Sequence, residues 1–95
     1  MIQVIEHKDT ITLCISGRFD FKMIKDFQQV LTREPRLWIV DLASVDYVDS
    51  SALGMLLLLR DRVRGDVARV QLRGVRGQPR DVLLMAKFDR MFKLD

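Results

Sequence analysis

Hydrophobic and polar residues alternate along two stretches of the chain, residues 10–16 and 67–73. A period of two places the apolar side chains on one face of a β-strand, so each stretch predicts a strand with one buried face. A third β-like run covers residues 2–7. Only the polar pair Lys8-Asp9 separates it from the strand that follows, which predicts an antiparallel hairpin.

Residues 37–42 are apolar in both alternating sets, apart from Asp41. This pattern is typical of an interior strand with both faces largely covered. The polar segment 43–46 comes next and predicts a loop that leads to Tyr47 and Val48.

Three further segments are predicted to be helices. The first begins after Asp20, whose carboxylate is a good N-cap, and ends before Pro35. The second covers residues 52–64 and is apolar nearly all round at first and charged at its end; the third has Pro79 in its first turn. Spacings of three and four predict that the first helix buries one stripe of side chains, widened by Met23 and Val30: Phe21, Ile24, Phe27 and Leu31.

The predicted order of elements is β-β-α-β-α-β-α within one domain, residues 1–95. Strand-helix-strand passages imply parallel pairing, whereas the first two strands pair antiparallel. The fold class is therefore α/β: a single small domain in which a four-stranded mixed sheet is backed by helices. The larger aromatic side chains are assigned to its core: Phe21, Phe27, Trp38, Phe88 and Phe92.

Composition indicates a soluble globular protein, with 48% hydrophobic and 31% charged residues. The single cysteine, Cys14, cannot form an internal disulfide, so we expect a reducing cytoplasm. The apolar run 55–59 is too short to cross a bilayer, and the charged N-terminus does not resemble a signal peptide. We therefore expect a cytoplasmic protein with no membrane insertion.

The net charge of +3 is unevenly distributed. Residues 60–80 hold seven arginines against two aspartates, a net charge of +5 for that segment. Nucleic-acid binding is the first alternative to consider, but the segment has no aromatic residue to stack on bases, and its arginines are divided among helix, strand and loop. We expect no direct nucleic-acid contact; a solvated surface, or a surface for an acidic partner, remains open.

The sequence offers little enzymatic chemistry. His7 and Cys14 are the only histidine and cysteine, and there is no glycine-rich phosphate loop or nucleophile elbow. We expect no metal, no cofactor and no catalytic residue, and therefore a protein that is not an enzyme.

The chemically distinctive run is Asp49-Ser50-Ser51, where the loop becomes the second helix. These residues could simply cap the helix. One cap needs only one such side chain, however, so a hydroxyl is left to face solvent, and a helix N-terminus favours the negative charge of a phosphate. Gly54 lies inside this helix, where we expect it to permit close approach to the sheet.

Residues 49–54, DSSALG, resemble the Asp-Ser-Ser/Thr-Gly-Leu-Gly motif of the STAS domain family, with Ala52 where glycine is commonest. Residues 17–20, GRFD, match the Gly-x-x-Asp that this family carries between its second strand and first helix. Length and element order also agree, so the resemblance covers essentially the whole chain. Standalone members of the family are anti-sigma factor antagonists in bacterial transcription regulation.

The resemblance implies a phosphorylation-controlled partner switch. In the family, the serine at the position of Ser50 is phosphorylated by an anti-sigma factor, a serine kinase with a histidine-kinase-like ATPase fold, and a PP2C-type phosphatase removes the phosphate. The unphosphorylated protein binds the anti-sigma factor, and phosphorylation releases it. By the same resemblance, Asp20 and Asp49 would lie beside Ser50 in the partner surface, and Ser51 would help to cap the helix.

The same family contains a second role. STAS domains also occur in anion transporters and as small subunits of lipid-transport ABC complexes, where they regulate without needing phosphorylation. The adjacent hydroxyls of Ser50 and Ser51 favour the partner switch, and the transporter role remains the alternative.

Overall fold

A computed structural model describes all residues, 1–95, and builds them around one mixed sheet with strand order β1-β2-β3-β4-β5. The β1 strand pairs antiparallel with β2, and every other pairing is parallel. The strands are β1 (Ile2–His7), β2 (Thr10–Phe19), β3 (Leu37–Val48), β4 (Val70–Arg73) and β5 (Lys93–Leu94); the helices are α1 (Ile24–Val30), α2 (Ser50–Arg62) and α3 (Gly77–Met85), with 3₁₀ turns at Phe21–Met23, Val67–Arg69 and Phe88–Arg90.

The predicted α/β class, the hairpin and the mixed sheet are confirmed. The structure adds a fifth strand, β5, which was not predicted because two residues are too few to show alternation. Backbone hydrogen bonds from Asp95 N–H to Leu72 O (2.9 Å) and from Val75 N–H to Asp95 O (3.2 Å) continue its pairing with β4. No helix in the structure is both long enough and apolar enough to cross a membrane.

The hydrophobic core lies on one face of the sheet. Alternate residues of β2, β3 and β4 are buried there and form a single cluster with the buried sides of the helices and the C-terminal segment. The largest side chains of the cluster that are fully buried are Ile11, Leu13, Ile15, Phe19, Phe27, Trp38, Leu42, Met55, Leu56, Leu59, Leu72 and Leu83. Because every helix contributes to this one cluster, the helices cover one face of the sheet.

The other face of the sheet carries no helix. Leu37, Ile39 and Asp41 of β3 point to it and are half-buried, as are the neighbouring Thr12 and Cys14 of β2. The expectation that both faces of β3 would be covered therefore holds for one face only.

Residues 43–46 are part of β3, and the prediction of a loop there was wrong. Both β2 and β3 continue past the predicted ends, with Gly17 opposite Val45 and Phe19 opposite Val48, across two shifts in register. Val45 and Val48 are buried, so the segment has an apolar side even though the intervening residues are polar. The polar residues that suggested a loop lie on the exposed side of this strand.

The first helical segment does not bury the predicted stripe. Phe27 and Leu31 are buried, but the side chain of Phe21 is 61% exposed and Ile24 is also exposed. The segment starts as a 3₁₀ turn, which has three residues per turn and therefore changes the phase of the side chains that follow. Met23, four residues before Phe27, takes the buried place instead, so the assignment of Phe21 to the core was wrong.

Gly54 also differs from its predicted role. It lies on the exposed side of α2, and a Cβ atom added there would meet nothing within 4 Å. The close approach occurs instead at Gly74, where φ is +72° and an added Cβ would lie 2.7 Å from the Cβ of Ala43. Gly54 is therefore not required by the packing of the helix on the sheet.

Gly54→Ala should raise the free energy of unfolding, by up to about 1 kcal/mol, because alanine favours an exposed helical position that glycine does not. Gly74→Ala is the matched control and should lower it, since the positive φ and the contact with Ala43 both oppose a side chain. Urea denaturation of both variants measures the difference. A destabilised Gly54→Ala protein would contradict this account of α2.

Asp41 joins β3 to β4 by a charged contact. Its Oδ1 accepts the backbone N–H of Ala43 at 3.0 Å, and its Oδ2 accepts from Arg73 Nη2 at 3.0 Å. The hydrogen bond from Ala43, followed by the contact with Arg73, lowers the pKa of Asp41 below its ordinary value of 3.8, although partial burial acts in the opposite direction.

Asp41→Asn should lower the free energy of unfolding at neutral pH by roughly 1 kcal/mol, because a charge-assisted contact is lost. A lowered folded-state pKa stabilises the fold above the ordinary value of 3.8, and this contribution disappears as the pH falls through the folded-state value. The difference between wild type and variant should therefore vanish in acid. Denaturation at several pH values tests this, with Asp46→Asn, an exposed aspartate, as control; a constant difference across the pH range would refute it.

Candidate functional site

Two acidic residues leave the sheet side by side. Because β2 and β3 are parallel and Phe19 pairs with Val48, the next residues, Asp20 and Asp49, emerge from neighbouring strands at the same edge. Adjacent strands are about 4.8 Å apart. The GRFD and VDSS segments, 31 residues apart in the chain by their first residues, are thus brought into one site.

Asp20 is largely enclosed, with 7% of its surface exposed. It caps the 3₁₀ turn, since its Oδ1 accepts the backbone N–H of Lys22 at 3.1 Å. Its Oδ2 lies 3.7 Å from Nε of Arg18, whose guanidinium carbon stands 4.0 Å from the ring centroid of Tyr47 on β3. Arg18 therefore links the ends of the two strands that carry the acidic residues.

Asp49 is the N-cap of α2. Its extended backbone precedes the helix, and its Oδ1 accepts the backbone N–H of Ala52 at 3.0 Å. Ser50 and Ser51 are the first two residues inside the helix, and neither hydroxyl makes a hydrogen bond within the chain. The prediction that Ser51 helps to cap α2 is therefore wrong, because the aspartate alone fills that position.

Ser50 is exposed and Ser51 is half-buried. Gly54, Leu57 and Leu58 follow Ser50 at spacings of four, seven and eight residues, so they share the exposed side of α2 with it. Leu57 and Leu58 keep 40% and 41% of their surface exposed. Ser50 thus stands at the N-terminal end of an exposed stripe of small and apolar side chains.

Gln78 belongs to the site, although no motif or spacing in the sequence singled it out. Its side-chain Oε1 accepts the backbone N–H of Val48 at 2.9 Å, and its Nε2 donates to the carbonyl of the same residue at 3.0 Å. The amide, carried on the first turn of α3, thus fixes the backbone just before Asp49. No local signal marks this role, because it depends on a residue 30 positions away.

The site has the chemistry of a phosphoryl acceptor and a contact surface. The hydroxyl of Ser50 is free, and the first turn of α2 offers a positive dipole end to an added phosphate. Across the structure, no group of three or more histidine, cysteine, aspartate or glutamate side chains is arranged to hold a metal ion. Asp20 and Asp49 are both engaged in caps, so they hold the two backbone turns in place.

Asp49→Ala should lower the free energy of unfolding by about 1 kcal/mol, because the N–H of Ala52 loses its side-chain acceptor. Ser50→Ala and Ser51→Ala are the matched controls. Each should change the free energy of unfolding by no more than about 0.5 kcal/mol, since neither hydroxyl is hydrogen-bonded. Thermal or chemical denaturation of the three variants tests this; a Ser51→Ala protein as unstable as Asp49→Ala would show that the serine, not the aspartate, is the cap.

Solved structures share this fold. An anti-sigma factor antagonist from Mycobacterium paratuberculosis superposes with a TM-score of 0.84 at 18% identity, covering 99% of this chain and 83% of that one. The anti-sigma factor antagonist SpoIIAA in its unphosphorylated form gives 0.77 at 14% identity, covering 100% and 87%. A sulfate transporter family protein from Wolinella succinogenes gives 0.73 at 20% identity, covering 90% and 73%.

Sequence comparison assigns the family. A STAS-domain containing protein of Pseudomonas aeruginosa is 42% identical over 87 residues, which cover 88% of this chain and 86% of that protein. The family model described as "Mlab, STAS domain" matches residues 2–94, which include both strand ends, both acidic caps and the whole of α2. The chain belongs to the STAS domain family.

Proposed function

We propose that this protein is an anti-sigma factor antagonist that works as a partner switch. The unphosphorylated form binds an anti-sigma factor that is also a serine kinase, and phosphorylation of Ser50 releases it. The single observation that carries the proposal is the position of Ser50: an exposed hydroxyl without a hydrogen bond in the first turn of α2, at the end of the exposed stripe formed by Gly54, Leu57 and Leu58.

The electrostatics of the site suit such a switch. Phosphoserine carries a charge of about −1.5 to −2 at neutral pH and is tolerated at a helix N-terminus. Asp49 caps α2 without using Ser50, so a phosphate would not have to displace the cap. A partner seated on the exposed stripe would instead meet new bulk and negative charge at its edge, next to Asp49.

The comparisons support this role at the level of fold. Two of the proteins that share the fold are named as anti-sigma factor antagonists, and one of them is described in its unphosphorylated form. The DSSALG segment lies at the start of α2 with its first serine exposed, the arrangement that a phosphoacceptor requires.

The proposal defines the partners. The phosphoryl group comes from ATP bound by the kinase, an anti-sigma factor with a histidine-kinase-like ATPase fold, and a PP2C-type phosphatase removes it. This chain then contributes the acceptor hydroxyl and the contact surface made by Asp20, Asp49, Ser50 and Ser51, and it acts as a binding protein in the cytoplasm rather than as an enzyme.

A second candidate function is regulation of a transporter. The fold is shared with a sulfate transporter family protein, and the matching family model carries the description "Mlab, STAS domain". In this role the chain would be a STAS subunit or domain of a transport complex, including a lipid-transport ABC complex, and the same exposed stripe would hold the transporter without a phosphorylation step.

Affinity capture from the native cell tests the switch. Wild type and Ser50→Ala should retain the same ATPase partner, whereas Ser50→Asp should retain at least tenfold less of it because negative charge is placed at the contact. Ser44→Asp is the matched control: it adds the same charge at another exposed serine, on β3, and should bind like wild type. Equal retention by Ser50→Asp and Ser50→Ala would rule out the switch.

Phosphorylation of the purified pair and the identity of the captured partner separate the two candidate functions. Incubating the purified pair with ATP should place a phosphate on Ser50, detected by mass spectrometry of the proteolysed protein, and Ser50→Ala should remain unmodified. Recovery of an ABC-transporter ATPase subunit, bound equally by wild type and Ser50→Asp, would establish the transporter role instead.

A further inference from the structure

The end of α2 opposite Ser50 carries a second concave surface. A cavity of about 400 Å³ is lined there by Arg33, Glu34, Trp38, Arg62, Arg64 and Arg69, which we call the arginine pocket. At a helical rise of 1.5 Å per residue, Ser50 and Arg62 are separated by about 18 Å along the axis. The arginine pocket is therefore distinct from the Ser50 site.

The topology explains why these arginines converge. Parallel strands joined by helices return to the same edge of the sheet, so the segments before β3 and before β4 lie at the edge opposite the Ser50 site. Arg33 follows α1, Arg62 ends α2, and Arg69 ends the 3₁₀ turn before β4. Arg64 lies two residues beyond the end of α2, so four guanidinium groups meet at one cavity.

Neutral acceptors hold two of these guanidinium groups. Arg69 donates through Nη2 to the carbonyl of Pro35 at 2.8 Å and through Nε to that of Arg36 at 3.2 Å. Arg62 Nη2 donates to the carbonyl of Arg33 at 3.4 Å. A carbonyl oxygen orients a guanidinium but does not cancel its charge, so the fold fixes positive groups in place and leaves them available to an anion.

The carboxylates near the arginine pocket only partly balance its positive charge. Glu34, with its side chain 82% exposed, lies 3.7 Å from Arg62, and the exposed Glu6 approaches Arg33 at 2.7 Å. Solvent-exposed pairs of this kind contribute little and exchange easily. The side chain of Arg64 makes neither an ion pair nor a hydrogen bond within the chain. The lining residues carry a formal charge of +3, equal to the net charge of the whole protein.

We propose that the arginine pocket binds a compact polyanion of the phosphate class, either a free phosphate compound or a lipid headgroup. Guanidinium groups match phosphate oxygens with paired N–H donors and stay charged at any physiological pH. Trp38, 1% exposed, lies beneath the arginines and supplies an apolar floor that weakens solvent screening. The pocket is too small for a protein surface and large enough for a di- or triphosphate group.

Calorimetric titration with inorganic pyrophosphate tests the site. The double variant Arg62→Gln/Arg64→Gln should bind pyrophosphate at least tenfold more weakly than wild type. The matched control, Arg80→Gln/Arg90→Gln, changes the net charge by the same amount at exposed arginines outside the pocket and should bind within twofold of wild type. Thermal denaturation of both variants checks that the fold is retained.

A parallel experiment distinguishes the two sources of phosphate. Wild type and both double variants are sedimented with vesicles of phosphatidylcholine alone or mixed with phosphatidylglycerol. Pyrophosphate binding without vesicle binding identifies a free phosphate ligand. Vesicle binding that needs phosphatidylglycerol and is lost only in Arg62→Gln/Arg64→Gln identifies a headgroup. Failure to bind either probe, or equal loss in both double variants, would overturn the proposal.

Discussion

The parallel pairing of β2 with β3 is the constraint on which the rest of the structure depends. It continues from Thr10 beside Leu37 to Phe19 beside Val48, across two shifts in register. The hydrogen bonds of this pair fix where each chain leaves the sheet, and so they fix the start of the first 3₁₀ turn and of α2. The acidic caps, the free hydroxyl of Ser50 and the exposed side of α2 all follow from that one alignment.

The sequence predicted the class of fold because that depends on local periodicity, whereas the placement of Asp20 and Asp49 beside Ser50 was expected from the resemblance to the STAS family. Alternation identified β2 and residues 70–73 of β4, but residues 67–69, predicted to belong to the same strand, form a 3₁₀ turn instead. The polar pair Lys8-Asp9 indicated the hairpin, and Asp49 with two serines marked the beginning of α2. What could not be predicted depends on phase and on distant partners. Phe21 and Ile24 keep helical spacing, but a 3₁₀ turn rotates them out of the core. Residues 43–46 look like a loop because their polar side chains outweigh the one buried valine among them, Val45.

The details of the site likewise include some that the sequence predicts and some that it does not. A cap was predictable, since several side chains at a helix start can fill it, but which of three adjacent residues does so is decided by backbone dihedral angles that the sequence does not specify. Gly54 is a second example. The sequence shows that a glycine, which is uncommon inside helices, lies in α2, but the side of α2 on which it lies depends on where the helix begins.

The two ends of α2 differ in charge. Asp49 caps the N-terminal end, where Asp20 pairs with Arg18, whereas arginines surround the C-terminal end, about 18 Å away by the helical rise. The screening length at physiological ionic strength is about 8 Å, so a charge added at one end is only weakly felt at the other. The helix therefore separates two surfaces, and a ligand at one would leave the electrostatics of the other nearly unchanged.

The amide of Gln78 gives the proposed phosphorylation site a rigid foundation. By occupying both backbone hydrogen-bonding groups of Val48, it prevents the end of β3 from pairing with any other chain and ties the segment to α3. A phosphate attached to Ser50, two residues after Val48, would then be held by the sheet on one side and by a helix on the other. Because its backbone is fixed in this way, such a site can rearrange little in response to an added charge. Almost all of that effect would then appear as a change in the binding free energy of the proposed partner on α2.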